Sequence, residues 1–532
     1  MSTPEPRRLR PLVLVRGFGG PDIGDEQASG YQGFNEGTVY PGRRGENYIY
    51  EGFVLRAMKS SLYRYRDATN VVGYYAEDVD APPDPQNYAG DLIEGSVVLD
   101  PSVARRVVDE DVAGTLWVYR YYDLKPRAVS RYGEGLARLI DILTRMGKTA
   151  FDGVDIVAHS MGGLVVREAL RFMHQEGRDP AALVHRIVTL GTPHRGIAFQ
   201  ALPRWLVDGV PGVRNAADEL AAFDPEQTKF LDIREWFDPR RILTVVGTDF
   251  RSYGVKVASA GNRLATLFAE GTLSYNHSDG LVKQTSAQLP GAPRTFVHKC
   301  HGGSDSLVTS REAYEIAMRF FHGTHRVRLW LDTAEVLRGK DLFSHSEFYL
   351  GVSIKPRYVD FELFHQSAEA ENCYGPFREP DLTDDQAALE TVLSKALAVE
   401  KGPATVWAGP DRLVWEGWVD TRAKPDSDQR DMVFRLDVYV AERDSYGIGF
   451  SDNVVFRKQY YVQALPGELL IHTGEKYLGP HGESGPGQAQ AAAADARETE
   501  VWAAQETGRG WTFETKGTGF EAVWRVAIEP AD

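Results

Sequence analysis

Residues 158–163 read Ala-His-Ser-Met-Gly-Gly, and what flanks them decides the fold. Before them runs the apolar segment Val154 to Val157, a strand, and after them comes a stretch with the amphipathic period of a helix. A serine at such a junction sits on a strained strand-to-helix turn. The turn requires a small residue two positions before the serine and glycine two after, because larger side chains there would clash. Ala158 and Gly162 meet both demands. This nucleophile elbow lifts the Ser160 hydroxyl above the sheet edge and sets the Met161 amide at a helix N-terminus, aimed where an oxyanion would form. Ser160 is the candidate nucleophile, and Met161 supplies a candidate oxyanion donor.

Around the elbow, from residue 11 to about 321, short apolar runs alternate with helical stretches, the pattern of a parallel sheet wrapped by helices. The expected strands are Leu12 to Val15, Leu116 to Tyr119, Val154 to Val157, Ile187 to Leu190, Ile242 to Val246 and Thr295 to Val297. The last helix of this half is expected to begin at Thr309, where Thr309 and Glu312 have the spacing of a capping box, and to stop near Gly323. Residues 1–323 therefore read as one domain and 324–532 as a second. In the second the period becomes two: Val327, Leu329 and Leu331 alternate with Arg328 and Trp330, and Phe434, Leu436, Val438 and Val440 with Arg435, Asp437 and Tyr439. That predicts an antiparallel β-sandwich, with the aromatics Trp407, Trp415, Trp418, Tyr460, Tyr461 and Trp524 serving mainly as its core. A stretch at about 474–497, rich in Gly, Pro, Gln and Ala, is expected to be a mobile loop.

Two insertions, at about 19–113 and 197–235, are expected to form a cap near the carboxyl edge of the sheet, where ligands bind in open α/β sheets. The first carries an expected helix at about Glu51 to Tyr65 and the carboxylates Asp78 to Asp84, whose interleaved prolines and spacing suit a solvated loop better than a calcium site.

A serine nucleophile needs a base within reach and an acid to orient that base. On this fold the chain order is serine, acid, histidine, which prunes the 13 histidines. His159 and His194 come too early, and those from His325 onward fall in the second domain, leaving His277, His298, His301 and His322. His301, in the loop His301-Gly302-Gly303 beyond a strand, is the leading base, with His298 as the alternative. Asp279, in Ser-Asp-Gly-Leu-Val at 278–282, is the leading acid, with Asp249 and Asp305 as competitors. The segment Val15 to Gly20, VRGFGG, makes the Phe18 amide the expected second oxyanion donor.

The elbow AHSMGG, the segment RGFGG, the stretch LGTPHRG from Leu190 to Gly196 and SDGLV together resemble the bacterial lipase and serine esterase branch of the α/β-hydrolase superfamily. They are also similar to the hydrolase domain of enzymes that deacylate inositol in glycolipid anchors. The resemblance covers roughly residues 10–321, with Arg16 standing where these enzymes usually carry histidine. It implies an α/β-hydrolase domain with a mostly parallel sheet, followed here by an antiparallel β-sandwich-like C-terminal domain. It also implies carboxylic ester hydrolysis through an acyl-enzyme, with no cofactor and no metal. The same machinery serves acyltransferases and thioester or amide hydrolases, and a scaffold that binds lipid or polymer could retain the elbow.

Composition sets the outer bounds. The chain has 532 residues, with 60 Lys plus Arg against 75 Asp plus Glu, a net charge of -15 that disfavours nucleic acid and anionic membranes as long-range partners. The expected partner is a small-molecule or lipid ester, soluble or short-chain given the polar first insertion; any membrane association would run through the cap or the second domain. Arg7, Arg8 and Arg10 precede an apolar run of only Leu12 to Val15, so neither a signal peptide nor a membrane span is readable. With two distant cysteines, Cys300 and Cys373, reduced thiols and a cytoplasmic enzyme are the expectation.

Overall fold

A computed structural model describes residues 9–17, 52–73, 97–99, 112–120, 129–146, 151–194, 233–250, 277–289, 291–302, 305–336, 346–357, 359–367, 369–370, 372–378, 412–423, 432–444, 453–473, 500–517 and 519–531. Phe18, the carboxylates at 78–84, most of the two insertions and the stretch at 474–497 lie outside them. The chain divides into two compact units, one running to Phe321 and the other from His322 onward, with Thr295–Val297 grouped with the second.

The first unit is built on a sheet ordered β3-β2-β4-β1-β5-β6-β7-β8. Its strands are β1 (Leu12–Val15), β2 (Arg66–Gly73), β3 (Val97–Leu99), β4 (Thr115–Arg120), β5 (Val154–His159), β6 (Val184–Leu190), β7 (Ile242–Gly247) and β8 (Arg294–Val297). The pairs from β2 to β7 run parallel, while β3 joins the edge antiparallel. Every residue of β1, β5 and β7 is buried, as expected of central parallel strands covered on both faces. The first insertion contributes β2 and β3 to the sheet itself. Their sequences hide this: β2 begins Arg-Asp-Ala-Thr-Asn, and β3 has only three residues.

Among the described residues the longer helices around the sheet are α1 (Gly52–Lys59), α2 (Val129–Met146), α3 (Gly162–Gln175) and α4 (Arg311–His322). Helix α1 is shorter than the sequence suggests, because the chain turns at Ser60, whose hydroxyl accepts from Tyr63 N–H, and enters β2. Helix α4 starts later than expected: the Ser310 hydroxyl, not that of Thr309, accepts from the third helical amide, Ala313 N–H, and Thr309 turns toward Ser306 instead. Helices α2 and α3 pack with β1, β4, β5 and β6 in one apolar core that includes Leu136, Ile140, Ile156, Leu164 and Leu170.

The second unit is a two-layer antiparallel sandwich. One layer is ordered β11-β10-β14-β15-β16-β17, with β12 on β10; the other is ordered β13-β9-β20-β19-β18. The first comprises β10 (Ser346–Pro356), β11 (Phe364–His365), β12 (Tyr374–Arg378), β14 (Met432–Asp444), β15 (Asn453–Leu465), β16 (Glu468–His472) and β17 (Val501–Ala503). The second comprises β9 (His325–Val336), β13 (Arg412–Val419), β18 (Gln505–Thr507), β19 (Gly510–Gly517) and β20 (Phe520–Pro530). Trp415 meets Phe434 and Phe456 meets Phe520 between the layers, with ring centroids 6.0 and 5.1 Å apart. Trp415, Trp418, Tyr460 and Trp524 are buried and Tyr461 is partly so, while Trp407 lies outside the described residues. Among the described residues no helix is long and apolar enough to cross a membrane.

Candidate active site

The parallel strands end at one edge, and β5 hands the chain to Ser160 with φ at +52°, a left-handed conformation that side chains other than those of Gly, Asn and Asp seldom adopt. Neighbouring backbone holds that turn. Ser160 N–H donates to the Leu190 carbonyl at the end of β6 (2.9 Å), and Gly163 N–H donates to the Ser160 carbonyl (3.1 Å). A Cβ on Gly162 would lie 2.6 Å from the Val15 carbonyl oxygen and closer still to that of Arg16, so α3 can begin against the end of β1 only with glycine there. On Gly163 a Cβ would overlap the Thr192 side chain.

Two loops complete the site. His301 Nε2 lies 2.9 Å from Ser160 Oγ, and His301 Nδ1 lies 2.8 Å from Asp279 Oδ2. The Asp279 carboxylate is itself fixed: Oδ1 accepts from the amides of Leu281 (3.1 Å) and Val282 (2.7 Å), leaving Oδ2 for the imidazole. Backbone links reinforce the pair, because His301 N–H donates to the Asp279 carbonyl at 2.9 Å. With Nδ1 donating to a carboxylate, the free lone pair of a neutral ring sits on Nε2, facing the serine hydroxyl. All three side chains are withdrawn from solvent, with Ser160 7%, His301 3% and Asp279 1% exposed.

Room for this relay comes from two glycines. At Gly191, φ is +56° and a Cβ would stand 2.8 Å from Asp279 Oδ2 and 3.1 Å from His301 Nδ1. At Gly247, the end of β7, a Cβ would stand 2.7 Å from Asp279 Cβ. Gly191 lies in the stretch LGTPHRG, where its own motif could have flagged it; Gly247 carries no comparable signal.

The competing candidates make other contacts. His298 Nδ1 lies 3.2 Å from Thr248 Oγ1, Asp305 forms an ion pair with Lys299 at 2.7 Å, and the Asp249 backbone amide donates to the Lys299 carbonyl at 3.2 Å. The His277 carbonyl accepts from Gln284 N–H, and that of His322 from Arg422. Met161 stands at the N-cap of α3, and its carbonyl accepts from the amides of Leu164 and Val165. Phe18 lies outside the described residues; Arg16, two residues before it, is buried.

Burial also sets the charge state of the surroundings. The Cys300 thiol is pushed up to about 12 by burial and by the carboxylates Asp249, Asp305 and Asp279, so it remains a thiol, donating to the Gly302 and Asp305 carbonyls. Burial, with Arg167 beside it, holds His194 well below the usual imidazole range, and its Nε2 lies 3.1 Å from Thr189 Oγ1. Arg167, lowered to about 10 by burial, donates to the His194 carbonyl at 3.0 Å and ties α3 to the loop after β6. Among the described residues no three His, Cys, Asp or Glu side chains converge as a metal site.

Residues 128–213, from α2 through the elbow and beyond β6, match a family described as "Putative serine esterase (DUF676)". Among solved structures the chain is similar to the product of the Listeria innocua gene lin2722, at 12% identity over 59% of this chain and 94% of that one, with a TM-score of 0.32. It is also similar to phospholipase PlaB from Legionella pneumophila, at 11% identity over 79% of this chain and 96% of that one, with a TM-score of 0.28. No curated protein matches it.

Proposed function

We propose that this chain, an α/β-hydrolase of the serine esterase and lipase type in its first unit, hydrolyses carboxylic esters through an acyl-enzyme. The observation that carries the reading is the continuous relay from Asp279 Oδ2 through His301 to Ser160 Oγ, at 2.8 and 2.9 Å, on an elbow that opens a helix. In this mechanism His301 Nε2 takes the serine proton as Oγ attacks the ester carbonyl, and Asp279 orients the ring and stabilises the imidazolium. The Met161 amide, with that of Phe18 as partner, holds the oxyanion of the tetrahedral intermediate. The imidazolium returns its proton to the departing alkoxide. It then acts again as base on a water molecule that releases the acid, so no redox change or co-reactant is needed. Soluble or short-chain esters are the proposed substrates.

The test is a p-nitrophenyl ester chain-length series on the wild type, Ser160→Ala, His301→Ala and Asp279→Asn, with fluorophosphonate labelling alongside. Turnover should vanish with Ser160→Ala and fall by about 10⁴-fold with Asp279→Asn, the scale expected when the base loses its orienting carboxylate. Full turnover in Ser160→Ala would overturn the mechanism. Labelling without turnover would point to acyl transfer instead, and a long-chain optimum with activation at a lipid interface would overturn the short-chain preference.

A further inference from the structure

The elbow residue preceding the serine, His159, is excluded as the base by chain order, yet it contacts the base directly. It is the last residue of β5, buried, with its ring centroid 4.9 Å from that of His301. His159 Nε2 lies 2.9 Å from the His301 backbone carbonyl oxygen. A carbonyl can only accept, so Nε2 carries the hydrogen and donates. The main chain of His301 is thereby anchored on both sides: its N–H donates to the Asp279 carbonyl, and its carbonyl accepts from His159. The first link ties the base to the acid that orients it; the second ties it to the strand that carries the nucleophile.

Resting on the serine hydrolase reading above, we infer that His159 is a positioning residue: through its Nε2–H it sets the main chain of His301 so that the imidazole meets Ser160 Oγ. The ordinary alternative is that His159 merely fills space at the end of β5. The two differ in what they require. Filling space needs a side chain of similar volume, whereas positioning needs a donor at the place of Nε2. Glutamine extends an amide nitrogen to about that place, while leucine has comparable bulk and no donor.

The experiment compares His159→Leu and His159→Gln with the wild type and with Ser160→Ala on a short p-nitrophenyl ester. The concentration of working sites is first titrated with a fluorophosphonate, and kcat is expressed per titrated site. The expected result is a fall in kcat per site of about tenfold or more for His159→Leu, because small misplacement of a catalytic group has effects on that scale. KM should stay within about twofold, since the carbonyl link bears on the base and not on substrate binding. His159→Gln should recover most of the lost kcat. A space-filling role would lower the melting temperature or the number of titratable sites while leaving kcat per site unchanged in both variants, and that result would overturn the inference. Equal loss in His159→Leu and His159→Gln would overturn it as well. If Ser160→Ala retained turnover, the underlying mechanism would fail first, so the two failures are separable. Should His159→Leu prove insoluble, His159→Asn serves in its place: its amide stops short of the Nε2 position and should share the kcat defect.

Discussion

At the scale of single residues, the site depends on what is missing as much as on what is present. Gly191 adopts φ +56° and leaves the space into which the Asp279 carboxylate and the His301 ring meet. Gly191→Ala would add the cost of a left-handed side chain, about 1–2 kcal/mol, and would place a Cβ 2.8 Å from Asp279 Oδ2. The expected outcome is a loss of kcat of about 10²-fold, since the relay must shift to clear the methyl group. Steady-state kinetics beside a thermal melt checks it: undiminished kcat in a folded Gly191→Ala variant would show that the crowding is absorbed elsewhere. The elbow itself was legible at this scale because every demand it makes falls within five residues of chain, with Ala158, Ser160 and Gly162 reading directly as turn, nucleophile and close approach. The preference for His301 over His298 rested only on the glycines that follow it, since both histidines satisfy the chain order and lie three residues apart.

At the scale of elements, Ser160 is only as well placed as helix α3. That helix is pressed on two sides. Gly162 and Gly163 bring its first turn against the end of β1 and against Thr192, and Gly133 of α2 brings the α2 backbone close to it further along. A Cβ on Gly133 would stand 2.7 Å from Glu168 Cβ and 2.8 Å from Ala169 N, so a side chain there must drive the helices apart. Gly133→Leu should destabilise the protein by about 1–3 kcal/mol, the usual penalty for overpacking, and a urea titration measures it. A midpoint equal to that of the wild type would mean that α2 moves without cost. Legibility at this scale followed burial pattern. Strand β1 announced itself as a continuous apolar run and β5 as one broken only by Asp155, whereas β2, polar through its first half, and β3, only three residues long, took their place by pairing with β4 and β2.

At the scale of the whole molecule, buried histidines contribute to how the fold responds to acid. Burial lowers His185 and His194 in the first unit, and His325 and His472 in the second, below the ordinary imidazole value. Asp155, 2.8 Å from His185 Nδ1, opposes the shift there without cancelling it. An unfolded imidazole titrates near about 6.5. Between that value and the lower folded ones the unfolded chain binds more protons, so stability is full above the unfolded value and is lost as pH falls through the folded ones. Calorimetry at pH 8 and pH 5 should show lower unfolding temperatures at the acid end. Unchanged temperatures would mean that these rings take up protons without leaving their sites.

The sequence by itself determined the class of fold, the tight turn at Ser160 and a short set of candidate partners for it, because those features are written in local pattern and chain order. Only the tertiary structure brought His301 to Ser160 and Asp279 to His301, and showed that Gly191 and Gly247 clear the space for them and that His159 touches His301. The physical reason is distance along the chain: His301 lies 141 residues beyond Ser160 and 22 beyond Asp279, and no local period carries information across such separations. The contacts arise where the ends of β5, β6 and β7 are brought side by side, and that convergence is a property of the assembled sheet.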